Sequence, residues 1–165
     1  LTKPKRPVVV IIGGAKSDKA KYIDKLLDIA DWVLVGGLLP RIVKSYCRDD
    51  GKICVSAAHL VPSGGDIDQT SALNFAAIVS QARTIVWNGP LGDWEKKEFR
   101  RGTEIVAHAL ASSRAAFNVV GGGDTVSALK SLGVLGKMNW VSTGGGAMLE
   151  FLAEGTLLGI EALKA

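Results

Sequence analysis

Val8-Val-Val-Ile-Ile-Gly-Gly14, five β-branched residues between Pro7 and a glycine pair, decides the fold of this 165-residue chain. An unbroken β-branched run ended by glycine is the pattern of a strand buried on both faces, which is the situation inside a parallel sheet. Similar runs recur at 32–35, 53–56, 84–87, 116–120 and 138–142. Helical spacing lies between them. Ile23, Leu26, Leu27 and Ala30 form one apolar stripe, and Leu73, Ala76, Ala77 and Ser80 form another within 69–82. Phe99, Gly102, Thr103 and Val106 lead into Ala109 and Leu110 on a third helix, which also carries His108. Shorter helices are expected over 124–132 and 147–152. The segment 39–47 is also expected to be helical, with Pro40 in the first turn, where its missing N–H costs little. Each parallel connection needs a crossover that covers a face of the sheet. The expectation is therefore a single α/β domain, a doubly wound parallel sheet of about six strands in a Rossmann-like three-layer arrangement. Residues 57–68 form its one long loop, and a tail with a few apolar anchors starts at Gly155.

Composition supports a globular domain, with 47% hydrophobic and 22% charged residues. A chain of this length removes about 70% of its unfolded surface from water on folding and needs no metal or disulfide staple. The net charge of +4 suits an anionic small ligand. Its basic groups, Lys3, Lys5 and Arg6, then Lys96, Lys97, Arg100 and Arg101, belong to no nucleic-acid reader motif and read as solvated faces. No stretch approaches membrane-spanning length. Cys47 and Cys54 are too few for a disulfide framework and lack zinc-ligand company, so reduced, buried thiols in a cytoplasmic protein are expected.

Glycine is the distinctive residue, at 20 of 165 against an average near 7%. Gly13-Gly14, Gly36-Gly37, Gly89 with Gly92, Gly121-Gly122-Gly123 and Gly144-Gly145-Gly146 each follow an expected strand. In a parallel sheet these turns share the carboxyl edge, where open α/β sheets bind ligands. Glycine lets backbone approach a ligand, and the helix N-termini that follow offer N–H groups and partial positive charge to phosphate. There is no Walker P-loop, no G-x-G-x-x-G after the first strand and no acid ending the second, which argues against a nicotinamide enzyme. Lys16, Lys19 and Asp124 accompany the glycines instead. Ammonium groups, a carboxylate and helix N-termini suit phosphoryl transfer from a magnesium nucleotide. Asp124 followed by Thr125 also fits a plain helix cap.

Four stretches in order resemble the carboxyl-terminal, nucleotide-binding half of phosphoglycerate kinase. Arg6-Pro-Val-Val-Val-Ile-Ile-Gly-Gly-Ala-Lys16 is similar to that family's first strand and phosphate loop, and Thr84-Ile-Val-Trp-Asn-Gly-Pro-Leu-Gly-Asp-Trp-Glu95 to its WNGPxGxFE stretch. Val119-Val-Gly-Gly-Gly-Asp-Thr125 and Ser142-Thr-Gly-Gly-Gly-Ala-Met-Leu-Glu150 resemble its two triple-glycine signatures. The resemblance implies a glycolytic phosphotransferase, cytoplasmic and monomeric, that uses ATP/ADP and Mg2+ and binds neither nucleic acid nor membrane. Residues 1–165 would be its adenine-nucleotide-binding domain. Phosphoglycerate would bind only through an amino-terminal half absent from this sequence. By the same resemblance, Gly14, Ala15, Lys16 and Lys19 face the nucleotide phosphates, Gly36 and Gly37 line the adenine pocket, and Asn88, Gly89 and Pro90 touch the nucleotide. Glu95 would hold the ribose, Asp124 the magnesium, and Thr125 would lie near the phosphates. Gly121, Gly122, Gly123, Gly144, Gly145 and Gly146 would present N–H groups, with Lys16, Gly123 and Gly146 acting on the moving phosphoryl. Trp87 and Trp94 read as packing residues.

Departures from the family pattern are local. The two lysines of Gly14-Ala-Lys-Ser-Asp-Lys19 stand one residue closer than in the family's GAKVxDK, and Gly36-Gly-Leu-Leu-Pro-Arg41 lacks the usual small and aromatic residues. The stretch from that loop to Thr84 is shorter than in the family. A noncatalytic adenine-nucleotide-binding module is the alternative function, and a substrate site of the chain's own would draw on Arg41, Arg48 and His59.

Overall fold

The computed structural model describes residues 3–48, 51–113 and 117–163, and the six expected strands all form in it. The start of the fifth expected run, Ala116, and the last two residues of the tail lie outside the described residues. In chain order the strands are β1 (Val8–Ile12), β2 (Trp32–Val35), β3 (Tyr46–Arg48), β4 (Ile53–Ala57), β5 (Thr84–Asn88), β6 (Phe117–Gly121) and β7 (Trp140–Ser142). Their order across the sheet is β3-β4-β2-β1-β5-β6-β7, all parallel except β3, which runs antiparallel to β4 at one edge. From β1 the chain builds outward through β2 and β4, then returns to the other side of β1 with β5. The topological switch therefore lies between β1 and β5, where a doubly wound sheet opens its crevice.

The helices are α1 (Ile23–Leu26), α2 (Gln69–Gln81), α3 (Arg101–Ser112), α4 (Gly123–Ser131), α5 (Gly145–Glu154) and α6 (Leu158–Ala162). Val9, Ile11, Ile85 and Trp87 face the α2–α3 side with Phe75, Val106 and Leu129, while Val8, Val10, Ile12 and Val33 face Leu26 and Leu149 on the α1–α5 side. All five residues of β1 are buried, as its composition requires. At the β7 edge, two asparagines exchange backbone bonds. The Asn118 amide donates to Asn139 Oδ1 and the Asn139 amide to Asn118 Oδ1, each at 2.8 Å.

Three expectations are corrected. The helix over 39–47 does not form; a single 3-10 turn, Leu39–Arg41, accommodates Pro40, and the chain then runs into β3. Adjacent β-branched Ile42 and Val43 are poor helix formers, and only Leu39 of the turn is buried. Cys47 and Cys54 are not separate thiols: the hairpin register sets them directly opposite each other on β3 and β4, and they form a disulfide with a sequence separation of 7. Reading a helix through Cys47 concealed that register. His108, read as a structural residue within the helical stripe of α3, lies exposed.

The connection from β2 to β4 therefore has no α-helix to cover the sheet. The two end residues of β3 instead bond the segment from α1 onward: Tyr46 donates its hydroxyl to Asp24, and Arg48 bonds Asp28 at 3.1 Å and Asp24 at 3.3 Å. Burial, followed by that bond to Asp24, pushes the Tyr46 phenol up to about 12. The stripe of Ile23, Leu26, Leu27 and Ala30 is buried as expected, although regular helix covers only Ile23–Leu26, after a 3-10 segment at Ser17–Tyr22. The tail also holds one short helix, α6, where no regular element was expected.

Candidate active site

Backbone-to-backbone packing of the glycine turns builds the carboxyl edge. The Gly13 amide donates to the Asn88 carbonyl at 2.8 Å and the Gly14 amide to the Pro90 carbonyl at 2.7 Å, stitching the end of β1 to the end of β5. Gly37 lies so close to Gly14 that a Cβ on it would stand 2.4 Å from the Gly14 nitrogen, and its φ of +62° is a conformation glycine adopts freely. Across the switch, a Cβ on Gly145 would stand 2.4 Å from the Gly122 Cα. The N-termini of α4 and α5 are therefore in direct contact, with their free N–H groups and partial positive charges side by side.

Side chains fix this edge from below. Asn88, 2% exposed, donates Nδ2 to the carbonyls of Gly145 at 2.8 Å and Gly121 at 3.3 Å, tying β5 to both glycine turns. Thr125 Oγ1 accepts from the Gly89 amide at 2.7 Å, and Thr103 Oγ1 accepts from the Leu91 amide at 2.9 Å. Trp87 is fully buried and donates its indole N–H to the Gly89 carbonyl at 2.7 Å, a packing residue with one polar anchor. Asp66 is buried between the α2–α3 side and the loop. Its carboxylate accepts from the Gly102 amide at the start of α3, at 2.9 Å, and from the Ile67 amide at 2.8 Å. Burial raises its pKa above the usual carboxylate range, against the pull of those bonds.

Two cavities open above these turns and share Gly14, Ala15 and Asp124. The first, of about 620 Å³, lies over Gly37, Pro90 and Glu95 and extends to Arg41 and Gly64. The second, of about 600 Å³, lies over the N-termini of α4 and α5 and is rimmed by Lys16, Lys19 and Lys21. Lys19, despite the shortened loop, turns inward and donates Nζ to the Gly13 carbonyl at 2.8 Å. Burial lowers its pKa, Asp18 and Asp124 raise it, and Lys16 lowers it further, so the four charges sense one another. Asp124 is exposed in the first turn of α4. Among the described residues no group of three or more His, Cys, Asp or Glu side chains gathers to hold a metal. A lone carboxylate beside phosphate-binding groups suits Mg2+, which keeps its waters and takes one or two carboxylates together with substrate phosphates.

The two cavities collect most of the residues singled out in the sequence. Gly14, Ala15, Gly37, Pro90, Glu95 and Asp124 line the first, and Lys16, Lys19, Asn88, Gly89, Gly122, Gly123, Thr125, Gly145 and Gly146 line the second. Gly36, Gly121 and Gly144 line neither. Gly36 packs on Leu91, which a Cβ would approach to 2.5 Å, so its smallness serves the core. Trp94, read as packing, in fact lines the first cavity, with the Arg100 guanidinium 4.9 Å from its ring center. Sequence reading did not find Ser63, Gly64 and Gly65, because they sit on the long loop rather than after a strand. Of Arg41, Arg48 and His59, only Arg41 reaches either cavity.

Comparison with known proteins identifies the family and the fold. The family model described as phosphoglycerate kinase matches residues 43–155. The phosphoglycerate kinase of Moorella thermoacetica is 37% identical over 210 residues, covering 99% of this chain and 53% of its own length. That of Haemophilus influenzae is 34% identical over 207 residues with the same coverage. Among solved structures, phosphoglycerate kinase from Coxiella burnetii superposes with a TM-score of 0.80 at 31% identity, covering 96% of this chain and 52% of its own. The enzyme from Pyrococcus horikoshii OT3 gives 0.78 at 27%, with 97% and 52% covered. The chain spans about half the length of the curated relatives it matches. This chain belongs to the phosphoglycerate kinase family.

Proposed function

We propose that this domain is the nucleotide-binding half of a phosphoglycerate kinase, holding MgADP or MgATP while an acyl phosphate of 1,3-bisphosphoglycerate exchanges with the nucleotide. The observation that carries this reading is the pairing of the α4 and α5 N-termini over a cavity rimmed by Lys16, Lys19 and Lys21, which shares Gly14, Ala15 and Asp124 with a neighboring cavity of about 620 Å³. The phosphates would occupy the cationic cavity and the nucleoside the other, with Glu95 at the ribose. Asp124 would hold Mg2+, which when bound neutralises charge on the phosphate oxygens.

The chain's own contribution is positioning and electrostatics, as phosphoryl transfer requires. Lys16 stands exposed at the mouth of the cationic cavity, placed to offset charge on the transferring group. Gly123 and Gly146 lie in the first turns of α4 and α5, whose N–H groups have no partner within the helix and can donate to the moving phosphoryl. Orienting two bound reactants accounts for about 7–11 kcal/mol of a barrier, and phosphoglycerate needs a docking surface that these two cavities do not supply. The domain by itself is therefore expected to bind nucleotide and turn over little. Calorimetry with MgADP tests the first part, and coupled ATP formation from 1,3-bisphosphoglycerate tests the second. Absence of binding at millimolar MgADP refutes the nucleotide site. Ordinary kinase turnover by the chain alone refutes the half-site reading, whereas rescue by a separately expressed amino-terminal half supports it.

A further inference from the structure

The outermost strand of the sheet is fastened by a disulfide that is open to solvent on one side only. Cys47 and Cys54 stand directly opposite each other on β3 and β4 and are joined. Cys47 is exposed, whereas Cys54 is 2% exposed, so a thiolate arriving from solution meets the first sulfur and not the second. β3 pairs with β4 through only Tyr46, Cys47 and Arg48, and it has no neighbor on its other side. The remaining ties of this strand are few. The Ser45 hydroxyl oxygen accepts from the Ala57 amide at 2.9 Å, and Tyr46 and Arg48 bond Asp24 and Asp28. Those two carboxylate side chains are 73% and 70% exposed, and ion pairs in such a setting contribute little. The covalent link is therefore the main restraint on β3.

What β3 holds bears on the cationic cavity. Asp24 lies on α1 and Asp28 just beyond it, and α1 directly continues the 3-10 segment Ser17–Tyr22, which brings Lys19 and Lys21 to the cavity rim. Tyr46 and Arg48 flank Cys47, so both side-chain ties to this segment come from the residues on either side of the exposed sulfur. We infer that Cys47–Cys54 is a thiol–disulfide exchange site for dithiol reductants, and that opening it frees β3, loosens the lysine-bearing segment and weakens phosphate binding. The effect on the ligand rests on the nucleotide reading above; the exchange chemistry does not. A thiolate of the reductant attacks Cys47 Sγ and forms a mixed disulfide, while Cys54 leaves as a thiolate and takes up a proton. The second thiol of the reductant, as its thiolate, then attacks the reductant's own sulfur in that mixed disulfide and releases Cys47, which is protonated in turn. The protein gains two electrons and two protons, and the reductant ends as a disulfide. Exposed disulfides are the labile ones, whereas buried ones resist reduction.

The test compares the purified chain oxidized and after dithiothreitol in native buffer, with free thiols counted by alkylation and mass. Both cysteines should become alkylable in the folded protein, and reoxidation should reverse this. Reduction should speed amide hydrogen exchange over residues 17–28 and raise the MgADP dissociation constant about fivefold or more, the lower end of ordinary coupling between sites. Cys54→Ala leaves only the exposed thiol and Cys47→Ala only the buried one, with melting curves to establish that each folds. The first should react with an aromatic disulfide at least about tenfold faster, because access limits thiol reactivity. Thiols that appear only in denaturant, or equal reactivity of the two variants, would overturn the exchange site. Unchanged hydrogen exchange over 17–28 on reduction overturns the coupling, and so does an unchanged MgADP affinity; the nucleotide reading survives either result. If MgADP binds in neither redox state, the nucleotide reading fails, and thiol counting and hydrogen exchange alone decide the inference.

Discussion

Thr125→Val separates the hydrogen bond beneath the site from the packing around it. Thr125 is 1% exposed, and its hydroxyl oxygen is the acceptor for the Gly89 amide at 2.7 Å. Valine keeps the shape and removes the acceptor, leaving a buried N–H without a partner, which costs about 1–3 kcal/mol. The turn has little room to relax, since Gly89 has φ +92° and a Cβ on it would stand 2.1 Å from the Gly13 carbonyl oxygen. At about 2–4 °C per kcal/mol for a domain of this size, the melting temperature should fall by about 2–12 °C. Thr125→Ser keeps the acceptor and loses one buried methyl, a cost of about 1 kcal/mol. Calorimetric melts of the three proteins, followed by MgADP titration, give the comparison. The valine variant should also bind MgADP more weakly, because the Gly89 turn loses its tether to α4. A valine variant that melts with wild type, or a serine variant that falls as far as valine, would refute this account of the turn.

Other consequences are directly measurable. Asp124→Ala should remove most of the magnesium dependence of nucleotide binding while leaving the urea midpoint nearly unchanged; a stability loss with normal MgADP affinity would identify Asp124 as a helix cap instead. Asp68 caps α2 by accepting from the Ser71 amide at 2.7 Å, so Asp68→Ala should cost about 1 kcal/mol in urea unfolding. That bond holds the Asp68 pKa below its usual value, so the contribution is present above the unfolded pKa and fades as pH falls through the folded one. Asp66 has the opposite sign: its raised pKa means that its titration favors the fold at low pH and that this increment is lost as pH rises through the folded value. Asp66→Asn should erase that part of the stability profile, which lies above the usual carboxylate range, and an unchanged slope there would contradict it. Reducing Cys47–Cys54 with dithiothreitol opens a loop of sequence separation 7 and should lower stability by about 2–3 kcal/mol on chain-entropy grounds. A urea midpoint indifferent to reductant would count against that disulfide.

The central strands were legible because burial on both faces leaves no alternative to β-branched runs, as in β1 and β5. The glycine-rich carboxyl edge was legible for a related reason: turns that pack backbone on backbone tolerate only glycine, and glycine stands out in any sequence. What escaped was set by tertiary contact. The segment after Gly37 was read as a helix on local spacing, but its residues answer to β4 and α1 through Cys54, Asp24 and Asp28. The far wall of the nucleoside cavity was invisible for the same reason. Ser63 to Gly65 have no periodicity, and their role exists only because the loop folds back over Arg41.

A site whose walls are largely main chain responds unusually to mutational scanning. Alanine replacement normally deletes atoms and reports what a side chain contributed. At Gly13, Gly37, Gly89 and Gly145 it would add a methyl within 2.1–2.4 Å of neighboring backbone, so the readout there is obstruction. At Gly123 and Gly146 the same replacement meets open space and would pass almost unnoticed in the empty protein. A scan of this edge would therefore rank as most sensitive the positions that merely hold the turns together, and as least sensitive those whose amides the proposal assigns to the ligand. Backbone amide-to-ester exchange, which removes a donor without adding bulk, is the perturbation suited to finding which of these groups act on phosphate.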